Sequence, residues 1–232
     1  GGVDSSFIAL ILKNLGVKFK CYTAVFEDHG IKEAKDLGYA QNAAEEIGVE
    51  LEIVRIKLKD VKKEIGKVVN LIESTNVTKV SVALPFYFAC KKARKDGVKV
   101  IMSGLGSEEI FAGYHRHKES NDVNKECLSG LMHIYERDTY RDDVITMHNS
   151  IELRVPFLDR ELISYCLSLN QEYKLGRFDK QVLRDAAHEL GLNEKFAYRK
   201  KIAAQYGSNL MKAVDKLARK YENKSKYLEQ FY

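Results

Sequence analysis

The chain begins with a loop whose residue types suit the binding of a phosphate group. Gly1 and Gly2 let the main chain approach a ligand closely, and Ser5 and Ser6 are typical caps for a following helix. Backbone N–H groups, two hydroxyls and a helix N-terminus would then converge on one anion. The loop carries Asp4 but no lysine in the spacing of a Walker A motif. This composition predicts a site for a pyrophosphate group that leaves whole, and an ordinary Gly-rich turn is the alternative.

A second loop of similar design, SGLGSEE, spans residues 103–109. Its small residues again allow close approach of the backbone to a ligand. Glu108 or Glu109 could hold a metal ion on a polyphosphate. The alternative is that the two carboxylates only stabilise the N-terminus of the next helix through its dipole.

Two charged clusters occur further along the chain. Glu152 and Arg154 flank a leucine just before a proline turn, where charges are costly unless they are paired or liganded, so a structural ion pair competes with a ligand site. Residues 199–201 form the cationic triplet Arg-Lys-Lys, and Ala203, Ala204 and Gly207 follow it. These small residues leave room for a large ligand, whereas the triplet alone would be interpreted as surface charge.

Size and charge narrow the classes of protein. With 232 residues, 45% of them hydrophobic, the chain can bury a sizeable core. The net charge of +5 is modest, and most of the basic residues after Lys174 fit a solvated helical face, so we expect no nucleic-acid partner. No apolar run is long enough for a membrane span, and no signal peptide precedes the first motif.

The cysteines indicate the compartment. They lie far apart, without a C-x-x-C pair, which argues against a structural zinc site. Most lie in apolar surroundings typical of reduced, buried thiols, and we therefore expect a cytoplasmic protein. The four residues are Cys21, Cys90, Cys127 and Cys166.

Hydrophobic periodicity predicts which elements position these motifs. Strands and helices alternate up to about residue 112, which indicates an α/β fold with a parallel sheet covered by helices on both faces. The predicted helices are 5–15, 31–47, 57–73 and 79–95, and the predicted strands are 18–26, 50–56 and 98–102. Beyond Tyr114 we predict helices only, over 124–150, 159–168, 179–190 and 208–222. Because ligands bind beyond the carboxyl ends of parallel strands, Asp4, Phe26 and Ser103 are expected at one site.

This pattern divides the chain into an α/β part, 1–118, and a helical part, 119–232, that together form one domain. A strand should lead into the opening loop, yet the sequence begins at the loop itself. We therefore expect the first strand of the sheet to precede Gly1.

The order of motifs is that of a known family. GGVDSS, SGLGSEEIFAGY, YERDTYRDDVITMHNSIELRVPFLD and RKKIAAQYG follow one another in the chain. Together they resemble the synthetase domain of the asparagine synthetases, over nearly the whole sequence. The resemblance implies an adenine nucleotide alpha hydrolase-like fold of the ATP pyrophosphatase type. It also implies an ATP- and Mg²⁺-dependent ligase that converts aspartate to asparagine through β-aspartyl-AMP, releasing AMP and pyrophosphate.

The resemblance also implies a nucleotide site. The opening loop would hold pyrophosphate through Gly1, Gly2, Asp4, Ser5 and Ser6. Other nucleotide contacts would come from Phe26 near the adenine, from Ser103 and Gly104 in the second loop, and from Lys180 in a K-x-x-L-R motif that ends at Arg184.

The metal and catalytic positions follow in the same way. Asp4 and Glu108 would hold Mg²⁺. Glu108 also matches a catalytic position, as do Asp138, with Arg141 one turn further on, and Lys201, which would support formation of the acyl-adenylate.

Two departures bear on the substrates. Typical members have SGEG in the second loop, whereas this chain has Leu105 in place of the glutamate, as in divergent asparagine-synthetase-domain proteins. This leaves the carboxylate substrate open: an adenylating enzyme for a different acceptor and an ATP-binding regulator without turnover are the alternatives. The sequence also contains no glutaminase domain, so nitrogen would come from ammonia or from a separate glutaminase domain or subunit. The sequence is also compatible with assembly of the chain into a homo-oligomer.

Overall fold

The computed structural model describes residues 1–232 as an α/β fold in which helices predominate. The strands are β1 (Lys20–Phe26), β2 (Glu50–Ile56), β3 (Val100–Met102) and β4 (Glu152–Arg154). The helices of the first half are α1 (Val3–Asn14), α2 (Lys35–Ile47), α3 (Leu58–Leu71), α4 (Val77–Lys95), α5 (Ser107–Ile110) and α6 (His115–Glu119). Those of the second half are α7 (Val123–Met132), α8 (Tyr140–His148), α9 (Arg160–Ser168), α10 (Gln171–Lys174), α11 (Gln181–Glu189), α12 (Glu194–Ala197), α13 (Ala204–Gly207), α14 (Leu210–Leu217) and α15 (Lys224–Glu229).

All strand pairing is parallel, as predicted, but the strands form two separate pairs. β1 pairs with β2 in a register that runs from Lys20 opposite Glu50 to Phe26 opposite Ile56. β3 pairs with β4, and the two sheets share no strand. A groove of about 680 Å³ lies between β1 and β3 and is lined mainly by apolar side chains. The strand expected before Gly1 lies outside the sequence and stays a prediction.

The prediction that no strand follows Tyr114 is wrong. β4 is a three-residue strand in which Leu153 lies opposite Ile101 of β3. Residues 151–155, Ile-Glu-Leu-Arg-Val, alternate apolar and charged side chains, which is a strand pattern, but the run is short and only three of its residues pair with β3. The prediction overlooked this short alternation.

The serines of the opening loop do not cap α1, in contrast to the sequence-based expectation. The N-cap is Gly2, in extended conformation and without a side-chain hydrogen bond, because the helix begins at Val3. Ser5 and Ser6 therefore lie in the first helical turn, and the Ser5 hydroxyl donates to the Gly2 carbonyl at 3.3 Å. Asp4 also lies in this turn, where a carboxylate interacts favourably with the helix dipole.

The helix predicted over 124–150 is interrupted. A five-residue π-helical segment, Tyr135–Thr139, lies between α7 and α8. π-Helical turns inside helices are rare and occur frequently at functional sites. This one carries Asp138, one of the residues singled out by the sequence.

Two apolar clusters form most of the core. The larger one packs α3, α4 and α14 against β1 and β2, around side chains such as Phe26, Ile65 and Leu84. The second joins α1 to α11 and α12, around Phe7 and Leu183. Burying each large apolar side chain contributes about 1.5–3 kcal/mol. The second cluster thus fixes the opening loop relative to the C-terminal helices.

The cysteines agree with the sequence-based expectation. All four are free thiols, and Cys90, Cys127 and Cys166 are buried. Burial raises the pKa of the Cys90 thiol to about 12, which keeps it protonated and unreactive. None of the helices combines the length and the apolar composition that a membrane span requires.

Candidate active site

Three segments that are distant in sequence meet at the first turn of α1. Lys180, the residue before α11, donates through Nζ to Asp4 Oδ1 at 2.6 Å and to Asp4 Oδ2 at 2.8 Å. The same ammonium donates to Glu108 Oε1 at 2.8 Å. The second loop also approaches the first, since a Cβ atom at Gly104 would lie 2.7 Å from the Asp4 Cβ. The two loops and the start of α11 therefore share one site.

Lys180 is almost fully buried, with 1% of its surface exposed. It has a left-handed backbone conformation, with φ of 55°. Such a conformation is uncommon for residues other than glycine and indicates that the surrounding contacts hold it. Burial by itself would lower the pKa of Lys180, but the carboxylates of Asp4 and Glu108 outweigh it and raise the pKa. The side chain is therefore a buried ammonium ion.

Glu108 is shared between two lysines. Its Oε1 accepts from Lys180, and its Oε2 lies 2.8 Å from Lys201 Nζ. The second contact is an ion pair without hydrogen-bond geometry, so Oε2 remains buried without a hydrogen-bond donor. Gly113 packs against this carboxylate so closely that a Cβ atom there would collide with Oε2. An oxygen left in this way suits a cation as a further ligand.

The donor set fits a magnesium ion that is bound together with a polyphosphate. No group of three or more His, Cys, Asp or Glu side chains in the chain could hold a metal ion. Mg²⁺ is usually bound by one or two carboxylates together with water and substrate phosphates. Asp4 and Glu108 supply two such carboxylates, joined through the same Lys180 ammonium.

The cationic segment 199–201 packs against the opening loop. Arg199 Nη1 donates to the Gly1 carbonyl at 2.6 Å, and Nη2 donates to Asp36 Oδ1 at 2.6 Å. Its guanidinium also lies 3.9 Å from the centre of the Tyr39 ring, a cation–π contact. Gly207 is required beside this pair, because a Cβ atom there would collide with the Asp36 carboxylate. Arg199 thus ties the loop to α2.

Arg184 positions that segment from below. Its side chain is 1% exposed and donates to three main-chain carbonyls, those of Asp179, Ala197 and Arg199, at 2.6, 2.7 and 2.9 Å. A planar guanidinium can make this set of contacts because its donors have a fixed geometry. Arg184 therefore fixes the backbone near both lysines of the site, Lys180 and Lys201.

A third group of charges surrounds Asp138. Arg141 donates through Nη1 to Asp138 Oδ1 at 2.7 Å and through Nε to Asp142 Oδ1 at 2.8 Å. Burial raises the pKa of Asp142, although Arg141 acts in the opposite direction. Arg141 and Asp142 also line the groove, as do Ser103 and Gly104 of the second loop.

Glu109, the second carboxylate that the sequence offered for a metal ion, is buried rather than placed at the site. Glu109 is 1% exposed, and neither of its carboxylate oxygens has a hydrogen-bond partner. Burial raises its pKa, and the nearby charges of Asp138 and Glu108 act in the same direction. Burial also lowers the pKa of His117 to about 4. The neutral imidazole accepts a hydrogen bond at Nδ1 from the Tyr114 N–H, at 3.0 Å.

The predicted site residues thus differ in their placement. Asp4, Glu108, Lys180 and Lys201 form one continuous set of ion pairs. Gly1, Ser5, Ser6, Ser103 and Gly104 line the groove between β1 and β3, and Gly2 is exposed at the start of α1.

Phe26, which the resemblance places near the adenine, lies at the end of β1, and its proximity to a nucleotide stays a prediction. The side chain is fully buried in the larger core cluster, and its N–H donates to the Ser208 carbonyl at 2.8 Å. Any contact to a nucleotide would therefore come from its main-chain carbonyl at the end of β1.

Arg199 and Asp36 are the residues that sequence reasoning missed. The triplet 199–201 was noted as a cationic cluster, but Asp36 lies in an amphipathic helix where an acidic residue is unremarkable. Its partner is 163 positions away, so no local pattern could reveal the pair.

Comparison with known proteins agrees with the motifs at this site. A model of the asparagine synthase family matches residues 1–126 and 118–230. A putative glutamine-hydrolysing asparagine synthetase 1 of Methanocaldococcus jannaschii is 33% identical and covers 100% of this chain, which spans 49% of that protein. Asparagine synthetase 3 of Arabidopsis thaliana and asparagine synthetase 2 of Lotus japonicus, both named glutamine-hydrolysing, are each 30% identical over 80% of this chain and 34% of their own length. The chain thus spans about half or a third of the length of these relatives. On these matches, the chain belongs to the asparagine synthase family.

Proposed function

We propose that this chain is the ATP-dependent synthetase part of an asparagine synthetase. In this proposal it activates the side-chain carboxylate of aspartate with ATP to give β-aspartyl-AMP and pyrophosphate, and ammonia then displaces AMP to give asparagine. The names of the relatives support this reaction, and the fold is proposed to be of the ATP pyrophosphatase type. Residues 1–118 and 119–232 would act as one domain, since site residues come from both.

The observation that carries the proposal is the position of Lys180. Its ammonium joins Asp4 of the opening loop to Glu108 of the second loop, and Lys201 extends the set. Two cations and two carboxylates at the N-terminus of α1 suit a triphosphate chain with its metal ion better than they suit a neutral ligand. A surface charge cluster would not bury a lysine to 1% exposure.

Each part of the site has a role in adenylation. The N-terminus of α1 would receive the departing pyrophosphate through main-chain N–H groups from Gly2 onward. Mg²⁺, held by Asp4 and Glu108 together with the phosphates, would supply charge neutralisation at the pyrophosphate. Lys201 is the more exposed of the two lysines, and we propose that it stabilises the negative charge that develops at the α-phosphate.

Positioning the aspartate is the remaining task. Arg141 is among the residues that line the groove, and Asp138 and Asp142 accept hydrogen bonds from it. We propose that this group orients the amino-acid substrate, because holding a carboxylate against the α-phosphorus lowers the barrier without covalent help from the protein.

The nitrogen source is a separate part of the proposal. Leu105 cannot accept a proton from an amine. The relatives are named glutamine-hydrolysing. We therefore propose that ammonia arrives from a glutaminase domain or a partner subunit and reacts with the activated carboxyl in the groove.

The free thiols fit a reducing compartment such as the cytoplasm.

The test is to incubate the chain with ATP, Mg²⁺, aspartate and ammonium and to measure the products. We expect AMP and pyrophosphate in equal amounts, formed only when aspartate is present, with asparagine detected by mass spectrometry. Lys201→Met should lower the rate about 100-fold or more, as loss of one transition-state donor does.

Lys195→Met is the matched control. Lys195 forms an ion pair with Glu46 at the surface, at 2.7 Å, away from the site. This variant should keep the rate of the unmodified chain. ADP and phosphate in place of AMP and pyrophosphate would contradict adenylation, and stimulation by another carboxylate but not by aspartate would contradict the substrate.

A further inference from the structure

The two carboxylates expected to hold Mg²⁺ already have a cation between them. Lys180 Nζ lies within hydrogen-bond distance of both Asp4 oxygens and of Glu108 Oε1. An ammonium ion has three N–H donors, and these three contacts use all of them. The group is thus fully coordinated by carboxylate oxygens.

The charges in this set cancel. Asp4 and Glu108 contribute two negative charges, and Lys180 and Lys201 contribute two positive charges. A divalent ion that arrived alone would gain little attraction from a neutral cluster and would meet two ammonium groups at close range. A triphosphate brings several negative charges, which reverses this balance.

We propose that Lys180 is a built-in counter-ion that keeps free divalent metal out, so that Mg²⁺ binds only together with the nucleotide. In the absence of nucleotide, Lys180 holds the Asp4 and Glu108 carboxylates side by side. The phosphates then supply both the charge and the remaining ligands. This inference rests on the proposed function, because it takes ATP as the ligand.

Two further observations agree with this role. Lys180 cannot move aside easily, since it is buried and its left-handed backbone conformation is fixed at the start of α11. Two carboxylates are also too few to hold Mg²⁺ without phosphates or water, and the chain contains no larger group of metal-binding side chains.

The test measures Mn²⁺ binding by electron paramagnetic resonance, without nucleotide. We expect the unmodified chain to bind Mn²⁺ weakly and Lys180→Met to bind it about tenfold or more tightly, because a unit charge at contact distance is removed. Lys180→Arg keeps the charge and should bind Mn²⁺ as weakly as the unmodified chain does. Lys195→Met is again the surface control and should change nothing.

Another comparison does not depend on the folding of the methionine variant. If Lys180 keeps the metal out, the unmodified chain should bind Mn²⁺ alone no more tightly than Asp4→Asn, which lacks one carboxylate. Clearly tighter binding to the unmodified chain, or equal binding to the unmodified chain and a folded Lys180→Met, would overturn the proposal. Circular dichroism establishes whether each variant is folded.

A separate measurement distinguishes this failure from failure of the proposed function. Binding of radiolabelled ATP by equilibrium dialysis is measured with Mn²⁺ and with a chelator. ATP that binds with Mn²⁺ while the metal also binds alone would overturn only the role of Lys180. No ATP binding under either condition would overturn the proposed function.

Discussion

Arg184 Nη1, in α11, donates to the main-chain carbonyl of Arg199 at 2.9 Å. This bond connects a fully buried side chain to the backbone of the cationic segment 199–201. The side chain of Arg199 in turn donates to the Gly1 carbonyl. The position of the opening loop therefore depends on α11, because Arg184 holds the backbone of Arg199 and Arg199 holds Gly1.

The first prediction concerns Arg184→Lys. Lysine keeps the charge but cannot reach three carbonyls, and buried carbonyls that lose their donor cost about 1–3 kcal/mol each. We expect a loss of about 2–4 kcal/mol in the free energy of unfolding, measured with urea, together with weaker ATP binding. Arg177→Lys is the control, because Arg177 is exposed and only faces the Phe178 ring at 5.4 Å. Equal stability of the two variants would contradict this role of Arg184.

The second prediction concerns the pair between Arg199 and Asp36. Arg199→Leu and Asp36→Asn each leave one charge without its partner, whereas the double variant leaves neither. In a double-mutant cycle on the free energy of unfolding, we expect a coupling energy of about 1–3 kcal/mol, since the arginine side chain is 6% exposed. A coupling energy near zero would mean that the contact is a screened surface pair.

The third prediction concerns Gly113. In Gly113→Ala the new methyl group would collide with Glu108 Oε2, and it would lie 3.0 Å from Lys180 Cδ. We expect the variant to fold but to bind the metal–nucleotide complex at least about tenfold more weakly, because Glu108 must move. Gly38→Ala in α2 is the matched control, since a Cβ atom there meets nothing within 4 Å. That variant should bind normally and gain about 0.5–1 kcal/mol in stability from helix propensity.

The fourth prediction concerns pH and His117. Burial lowers the pKa of this imidazole to about 4, from the 6.5 that is usual for an exposed histidine. The unfolded state therefore binds more protons between about pH 4 and 6.5, so stability falls as the pH falls through this range. We expect a loss of about 2 kcal/mol between pH 7 and 5 from this residue.

His117→Asn tests this pH dependence by urea unfolding. The asparagine oxygen can still accept from the Tyr114 N–H, as Nδ1 does, but it does not titrate. The variant should lose that part of the pH dependence. His133→Asn, at an exposed position, should retain it. Identical pH profiles for the two variants would contradict the assignment.

The sequence predicted those elements whose periodicity is strong. β2 was predicted with the observed bounds, and α4 within two residues, because both have an apolar pattern that local sequence alone sets. β4 was missed because its alternation of apolar and charged residues covers only residues 151–155, and the first turn of α1 was misplaced by two residues because a glycine rather than a serine is its N-cap. Helix ends are the least reliable part of any such prediction.

The site could be predicted in part for a related reason. Asp4, Glu108, Lys180 and Lys201 each occur in a motif that can be read along the chain, and the structure brings them together. The sequence could not show that Lys180 lies between the two carboxylates. The direction of its side chain depends on a left-handed backbone conformation, with φ of 55°. No residue type signals that conformation as glycine would.

Asp4 and Lys180 are 176 positions apart, and this separation also concerns how the protein folds. Contacts between distant parts of a chain form late, since the cost of closing the loop must be met first. During synthesis, Asp4 has no lysine partner until Lys180 has been added to the chain. Because any ligand held there stabilises only the completed site, binding reports that two segments 176 positions apart have assembled.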